Sequence, residues 1–139
     1  MPANTNPIFV LTPIVIWGTT PLTTANTAKD GTGTVLTVFT AGASGSRVEK
    51  LIFVPIGTNV QTVARVFINN GSSSGVAANN SLIAEITIPA STLTETAQQV
   101  VTELVFADDL KLPATYKLNV VIGTTVAAGI QCTALGGDF

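Results

Sequence analysis

The stretch from Lys29 to Phe53, "KDGTGTVLTVFTAGASGSRVEKLIF", places glycines on both sides of two apolar runs. The first run, "TVLTVFT" (34–40), is rich in β-branched and aromatic residues, which favours a strand with a turn at each end. The second run, "RVEKLIFVPI" (47–56), alternates in polarity and predicts another strand. Phosphate-binding glycine loops lead into a helix, whereas these glycines lead into strands. The stretch therefore predicts two strands joined by a turn, and one face of the second strand carries Val48, Lys50, Ile52 and Val54.

The rest of the chain continues this pattern, and no long window has the apolar spacing of a helix. Further strands are predicted at residues 62–69, 82–88, 100–106, 116–122 and 127–135, with one more in the N-terminal segment. A short helical turn capped by Thr94 is predicted around residues 91–99. About eight strands without crossover helices favour an all-β antiparallel sandwich, with a jelly roll as the preferred topology. An immunoglobulin-like sandwich is the alternative, although the chain lacks the Cys, Trp, Cys spacing.

The first 28 residues carry no charged side chain and contain four prolines. Proline removes backbone donors and favours extended conformations, so residues 1–28 are predicted to form an extended arm before a β-sandwich domain at residues 29–139. Because apolar side chains gain free energy from burial, we expect the arm to lie on its own sheet or on a neighbouring subunit. Trp17 is the preferred anchor. The candidate interface residues are Ile8, Phe9, Val10, Leu11, Ile14, Val15, Ile16 and Trp17.

Only 10% of the residues are charged, 46% are hydrophobic, and the formal net charge is -2. Because no basic stripe is present to neutralise phosphates, a direct nucleic-acid partner is not expected. The N-terminus does not resemble a signal peptide, which predicts that the protein is made and folded in a cytosol. The uncharged stretch from Leu118 to Leu135 is interrupted by polar residues and glycines, so it predicts two strands rather than a membrane span. The single cysteine, Cys132, is predicted to be a buried small hydrophobe without a disulfide.

The chain has no histidine, which excludes Ser-His-Asp and Cys-His catalysis and histidine-containing zinc sites. Asp108 and Asp109 are predicted to lie in a solvated turn, and Asp30 in a turn rather than a calcium site. Glu85 and Glu103 are predicted to form ion pairs across strands, with Arg47, Arg65 or Lys117 as partners. The residues therefore predict no catalytic, cofactor-binding or metal site, and no enzyme.

Several motifs with a shared spacing resemble a group of small phage and prophage proteins. They are "TANTAKDGTGTVLTVFTAGASGSRVEKLIF", "VARVFINNG", "LIAEITIPA", "LKLPATYKLNV" and the terminal "GGDF", spanning Thr24 to Phe139. The resemblance implies a virion structural protein, most like a capsid decoration (cement) protein, which is made in the bacterial host cytoplasm and binds the outer surface of the phage head. Such proteins are small β-sandwiches that often form homotrimers and clamp neighbouring copies of the major capsid protein.

The resemblance thus implies two partners, further copies of the chain and the major capsid protein. Two other functions stay open. The first is a structural component of a phage tail, baseplate or fibre. The second is a carbohydrate-binding module that uses loops such as residues 69–80; it would need exposed aromatic side chains to stack on sugars, and Trp17 and Tyr116 are the non-phenylalanine aromatics available.

Overall fold

Eight strands form two four-stranded antiparallel sheets in the computed structural model, which describes residues 10–139. This architecture confirms the predicted all-β sandwich. The strands are β1 (Thr12–Trp17), β2 (Leu36–Thr40), β3 (Ser46–Pro55), β4 (Thr62–Asn69), β5 (Asn80–Ile88), β6 (Thr102–Leu112), β7 (Lys117–Ile122) and β8 (Ile130–Asp138).

Sheet A has the strand order β1-β8-β3-β6, and sheet B has the order β2-β7-β4-β5. The first strand therefore pairs with the last, the second with the seventh, the third with the sixth and the fourth with the fifth. A long hairpin that rolls up on itself produces this set of pairs. The predicted jelly roll is compatible with this order and stays a prediction in its finer detail.

The core lies between the two sheets and consists of aliphatic and phenylalanine side chains with almost no solvent exposure. Burial of such side chains is the main source of stability in a sandwich. Cys132 is buried in this core, as predicted. The largest fully buried core side chains include Phe39, Leu51, Phe53, Leu118, Ile122 and Ile130.

The predicted alternation of β3 is wrong at one point, because a β-bulge shifts the phase between Val48 and Lys50. Val48 faces the core, while Lys50, Ile52 and Val54 lie on the outer face of sheet A. An extra residue in one strand reverses which side chains point inward. Alternation alone therefore could not assign all four side chains to their faces.

Asp108 and Asp109 do not form the predicted turn, because both lie within β6. The pairing of β6 with β3 shifts here, and Asp109 has a positive φ of 53°. The carboxylate of Asp109 lies 3.4 Å from a guanidinium nitrogen of Arg47 on the neighbouring strand. The acidic pair thus marks a bulge that bends the edge strand.

The predicted helical turn at residues 91–99 is also absent, since these residues form a bridge, bends and irregular backbone. The segment is attached to the rest of the chain by an isolated bridge between Asn59 and Ser91 and by a hydrogen bond from the Leu93 amide to the Thr58 hydroxyl. Within residues 10–139 the helical structure is a single turn of 3-10 helix at Ala77–Asn79.

Residues 26–34, here called the strap loop, cross the outer face of sheet B. The loop starts beside β7, where the Asn26 amide donates to the Ile122 carbonyl over 2.8 Å. Its tip reaches β5, because the Asn80 side chain donates to the Asp30 carbonyl over 3.2 Å. Since β4 lies between β7 and β5, the strap loop must pass over β4. Phe67 on the outer face of β4 is accordingly fully buried.

The turn between β2 and β3 is fixed by the C-terminal strand. The Ser46 hydroxyl hydrogen-bonds the Asp138 carboxylate, and the Gly42 amide donates to the Ser46 oxygen over 3.0 Å. Gly45 has a φ of +84°, and a Cβ there would lie 2.8 Å from the Leu112 carbonyl oxygen. These glycines therefore shape a tight turn, as predicted, and the terminal "GGDF" anchors it.

Candidate interaction surface

The N-terminal strand β1 forms one edge of sheet A by pairing with β8. Val15 lies opposite Leu135, and Trp17 lies opposite Thr133. Gly18 continues this register, and its amide donates to the Cys132 carbonyl. In an antiparallel pair the bonded positions alternate, so Pro13 falls at a position whose N–H would face the open edge. A proline costs no ladder hydrogen bond there.

The registers of sheet A align the outward side chains of all four strands in rows. One row contains Val15, Leu135, Lys50 and Val105, and the next contains Trp17, Thr133, Ile52 and Glu103. Val54 and Gln131 continue the pattern on the two central strands. We call the surface formed by these ten side chains the A face.

Most of the A face is apolar, and its largest side chains lie open to solvent. Val15 is 62% exposed, Trp17 is 56% exposed and Val105 is 61% exposed. Exposed apolar side chains are common when they occur singly, but contiguous patches mark interaction sites. The rows place Val15 and Trp17 beside Leu135 and Thr133 at the β1 edge and Val105 at the β6 edge of the same face, so the A face is the main candidate for a docking surface.

One ion pair lies on the A face. The ammonium group of Lys50 is 3.2 Å from the carboxylate of Glu103, which is on the edge strand β6. The pair is formally neutral and lies toward the β6 side, while Val15, Trp17 and Leu135 lie toward the β1 side. The A face therefore has an apolar part near β1 and a neutral ion pair near β6.

The outer face of sheet B differs, because the chain itself covers it. The strap loop lies across β7 and β4, and the outward residues Phe67, Asn119 and Val121 are all buried. The remaining charged pair on this face joins Arg65 and Glu85, whose side chains are 2.6 Å apart. The described residues thus cover the outer face of sheet B over β7 and β4, whereas they leave the A face uncovered.

The structure places four of the candidate interface residues of the arm, those in β1, on the chain's own sheet. Ile14 packs against the core, Leu11 is highly exposed, and Val15, Ile16 and Trp17 are exposed on β1. Val10 is half-buried, whereas Ile8 and Phe9 lie outside the described residues. β1 is a strand of the sandwich and Leu22 is part of its core. The predicted division at residue 28 therefore does not coincide with a structural boundary in the described part.

The predicted cross-strand ion pairs are confirmed for Glu85 with Arg65, whereas Glu103 pairs with Lys50 and not with the three predicted cations. Asp30 lies in a turn, as predicted, and hydrogen bonds from the Thr32 hydroxyl and amide lower its pKa. Residues 10–139 contain no group of three or more acidic, histidine or cysteine side chains that could hold a metal ion. They also contain no helix that is long and apolar enough to cross a membrane.

Burial raises the pKa of the Cys132 thiol to about 12. We expect Cys132 in the folded protein to react with a thiol reagent at about pH 8 at least a thousandfold more slowly than in the denatured chain, because reaction requires opening of the core. The raised pKa also predicts that this group contributes no pH dependence of stability below the ordinary thiol value of 9.0 and destabilises the fold above it. Rapid stoichiometric labelling of the native protein would show that the thiol is accessible.

The loops at one end of the sandwich enclose a shallow cavity of about 530 Å³. Its walls come from Thr58, Val60, Ser91 and neighbouring residues, and none of the lining residues is aromatic. Tyr116 is partly buried against the core. An aromatic stacking platform for sugars is therefore not formed by these loops, and the exposed Trp17 lies on the A face.

Comparison with family models, with curated proteins and with solved structures finds no match.

The A face combines residues that the sequence indicated with others that it did not. Trp17 and Val15 were indicated by the uncharged arm, whereas Val105 and Ile52 had no local signal that separated them from core residues. Only the register of four strands shows that all four of these side chains lie on the same face of sheet A. Two of those four strands are distant in sequence from the arm.

Proposed function

We propose that this chain is a structural, non-enzymatic protein of a phage virion, and that it decorates and stabilises the outer surface of the head by binding the major capsid protein. The motif resemblance between Thr24 and Phe139 suggests this assignment. The eight-stranded sandwich is compatible with it, since the predicted jelly-roll topology occurs in viral capsid domains as well as in lectins. A fold by itself does not determine a function, so the proposal depends on the surface of the chain.

The observation that carries the proposal is the A face. Among the described residues the acidic side chains form ion pairs, accept hydrogen bonds or stand apart, and no three of them form a group that could hold a metal ion. Four of the fourteen exposed large apolar side chains in residues 10–139, Val15, Trp17, Val54 and Val105, lie together on the outer face of sheet A. A protein with this distribution acts by permanent association, because buried apolar area and aromatic anchors provide the free energy of binding.

The arm supplies part of this surface through Val15 and Trp17. Its other candidate residues, Ile8 and Phe9, precede the described part and stay predicted interface residues. We propose that the arm contacts a neighbouring subunit of the head with Ile8 and Phe9, while β1 stays paired with β8.

A component of the tail, baseplate or fibre is the second candidate, and it would use the same domain in another location. The carbohydrate-binding alternative receives less support, because neither residues 69–80 nor the lining of the cavity near Thr58 and Ser91 includes an aromatic side chain. A glycan array would test it directly.

The proposal predicts that a variant lacking Met1 to Pro21 folds but is no longer incorporated into particles. The deletion removes β1, which contributes only Ile14 to the packing around the core, and keeps Leu22, which is buried. Circular dichroism of the purified variant checks folding, and mass spectrometry of purified particles measures incorporation. Incorporation of the deletion variant at the level of the complete chain would contradict the proposed role of the arm.

A further inference from the structure

We infer that the A face is covered by the A face of a second copy of this chain, which gives a two-fold symmetric dimer in solution. This inference goes beyond the proposed function, because it concerns the purified chain and holds whether or not the chain belongs to a virion. Three observations support it. They are the size of the A face, its charge, and the difference in exposure between the outer faces of the two sheets.

The size of the A face matches that of a specific interface. Four strands lie about 4.8 Å apart and rise about 3.4 Å per residue, and the strands of sheet A contain six to eleven residues. The planar footprint is therefore on the order of 500 Å², and the accessible surface of its side chains is larger. A standard interface buries roughly 800 Å² per partner, so the outer face of sheet A, which includes the A face, can supply a large part of the area that a dimer requires.

The charge of the A face is compatible with a copy of itself. Lys50 and Glu103 neutralise each other across β3 and β6, so two A faces can approach without like charges meeting. A strongly basic or acidic partner would find no complementary field on this surface. The low charge of the whole chain, with a net value of -2, also gives little repulsion between copies.

The strap loop makes the two outer faces of the sandwich differ in exposure. The chain covers the outer face of sheet B and buries Phe67 and Val121 there, whereas it leaves Val15, Trp17 and Val105 open on sheet A. Two sheets that pack face to face keep their strands within about 30° of each other. A second copy can therefore extend the two-layer sandwich into four layers, with Trp17 as a buried anchor on each side.

Trp17 is the only tryptophan of the chain, so its fluorescence reports on the A face without a label. We expect sedimentation equilibrium of the full chain to show a dimer at about 50 µM. Dilution should shift the emission of Trp17 to longer wavelength as the dimer dissociates and the indole meets water.

Two variants with a matched control test the surface. Val15→Lys and Val105→Lys each place a charge on the A face at a side chain that is already exposed, and each is expected to raise the dissociation constant at least tenfold. Val60→Lys changes a similarly exposed valine in a loop away from the A face and is expected to leave the dissociation constant unchanged. Thermal unfolding of all three variants at low concentration checks that the fold is intact.

A monomer or a trimer at about 50 µM would overturn the inference. A dimer that tolerates both Val15→Lys and Val105→Lys would overturn it as well, because the contact would then lie elsewhere. Loss of the dimer in these two variants alone would support it. Incorporation into phage particles is not part of this experiment, so its result is separate from that of the proposed function.

Discussion

Phe67→Ala is expected to lower the free energy of unfolding by about 3–5 kcal/mol, as large as the loss for a phenylalanine of the central core. Phe67 lies on the outer face of β4, where a sandwich residue is normally half-exposed, yet its side chain has no solvent exposure. The strap loop provides the cover, so truncation leaves a cavity under a loop that is held at both ends. Urea unfolding followed by circular dichroism measures the change.

Val15→Ala is the matched control for this prediction. Val15 is also on the outer face of a strand, but it is 62% exposed in the single chain. Its truncation should change the stability of the monomer by less than about 0.5 kcal/mol. A loss of under about 1 kcal/mol for Phe67→Ala would contradict the covering role of the strap loop.

Asn26→Ala is expected to lower the free energy of unfolding by about 2–3 kcal/mol. The side-chain amide of Asn26 donates to the carbonyls of Thr32 and Thr34 over 2.9 and 2.8 Å, and its oxygen accepts from the Ala28 amide. Each such hydrogen bond contributes about 0.5–1.5 kcal/mol net. The three bonds close the strap loop on itself, so their loss loosens the loop over Phe67.

Thr27→Ala provides the control, because Thr27 is exposed in the same loop. It should change stability by less than about 0.5 kcal/mol. The double variant with Asn26→Ala and Phe67→Ala should lose less free energy of unfolding than the sum of the two single losses. Both substitutions act through the same loop. Strict additivity would show that Asn26 and the cover of Phe67 are independent.

The strap loop is not expected to loosen near neutral pH. Hydrogen bonds from Thr32 lower the pKa of Asp30 below its ordinary value of 3.8. A carboxyl group with a lowered pKa in the folded state stabilises the fold above the ordinary value, and this contribution is lost as the pH falls through the lowered one. Any effect of Asp30 on the strap loop is therefore confined to acid.

The sequence predicted most strands because their signals are local. Residues 62–69 alternate and are bounded by turn formers, and the structure has β4 at the same residues. The bulges in β3 and β6 were not predicted, since an extra residue leaves no mark in composition. At Val48 and Lys50 the alternation continues through the bulge, and only pairing with β8 and β6 shows the shift.

The burial of the outer face of sheet B under the strap loop could not be predicted from local sequence patterns either. "KDGTGT" indicated a turn, which is correct for Asp30 to Thr32, but nothing in these letters shows that the turn crosses a sheet. Phe67 alternates like an outward residue, and its burial depends on a loop more than 30 residues earlier in the chain. The A face could not be predicted locally for the same reason, because its rows combine β1, β3, β6 and β8 through long-range pairing.

The most direct measurement is an electron-microscopy map, at side-chain resolution, of particles produced by the strain that encodes this chain. The proposed function predicts density for the eight-stranded sandwich on the outer surface of the head, in contact with the major capsid protein. Density for the sandwich in the tail, or particles that contain none of this chain, would contradict the proposed function.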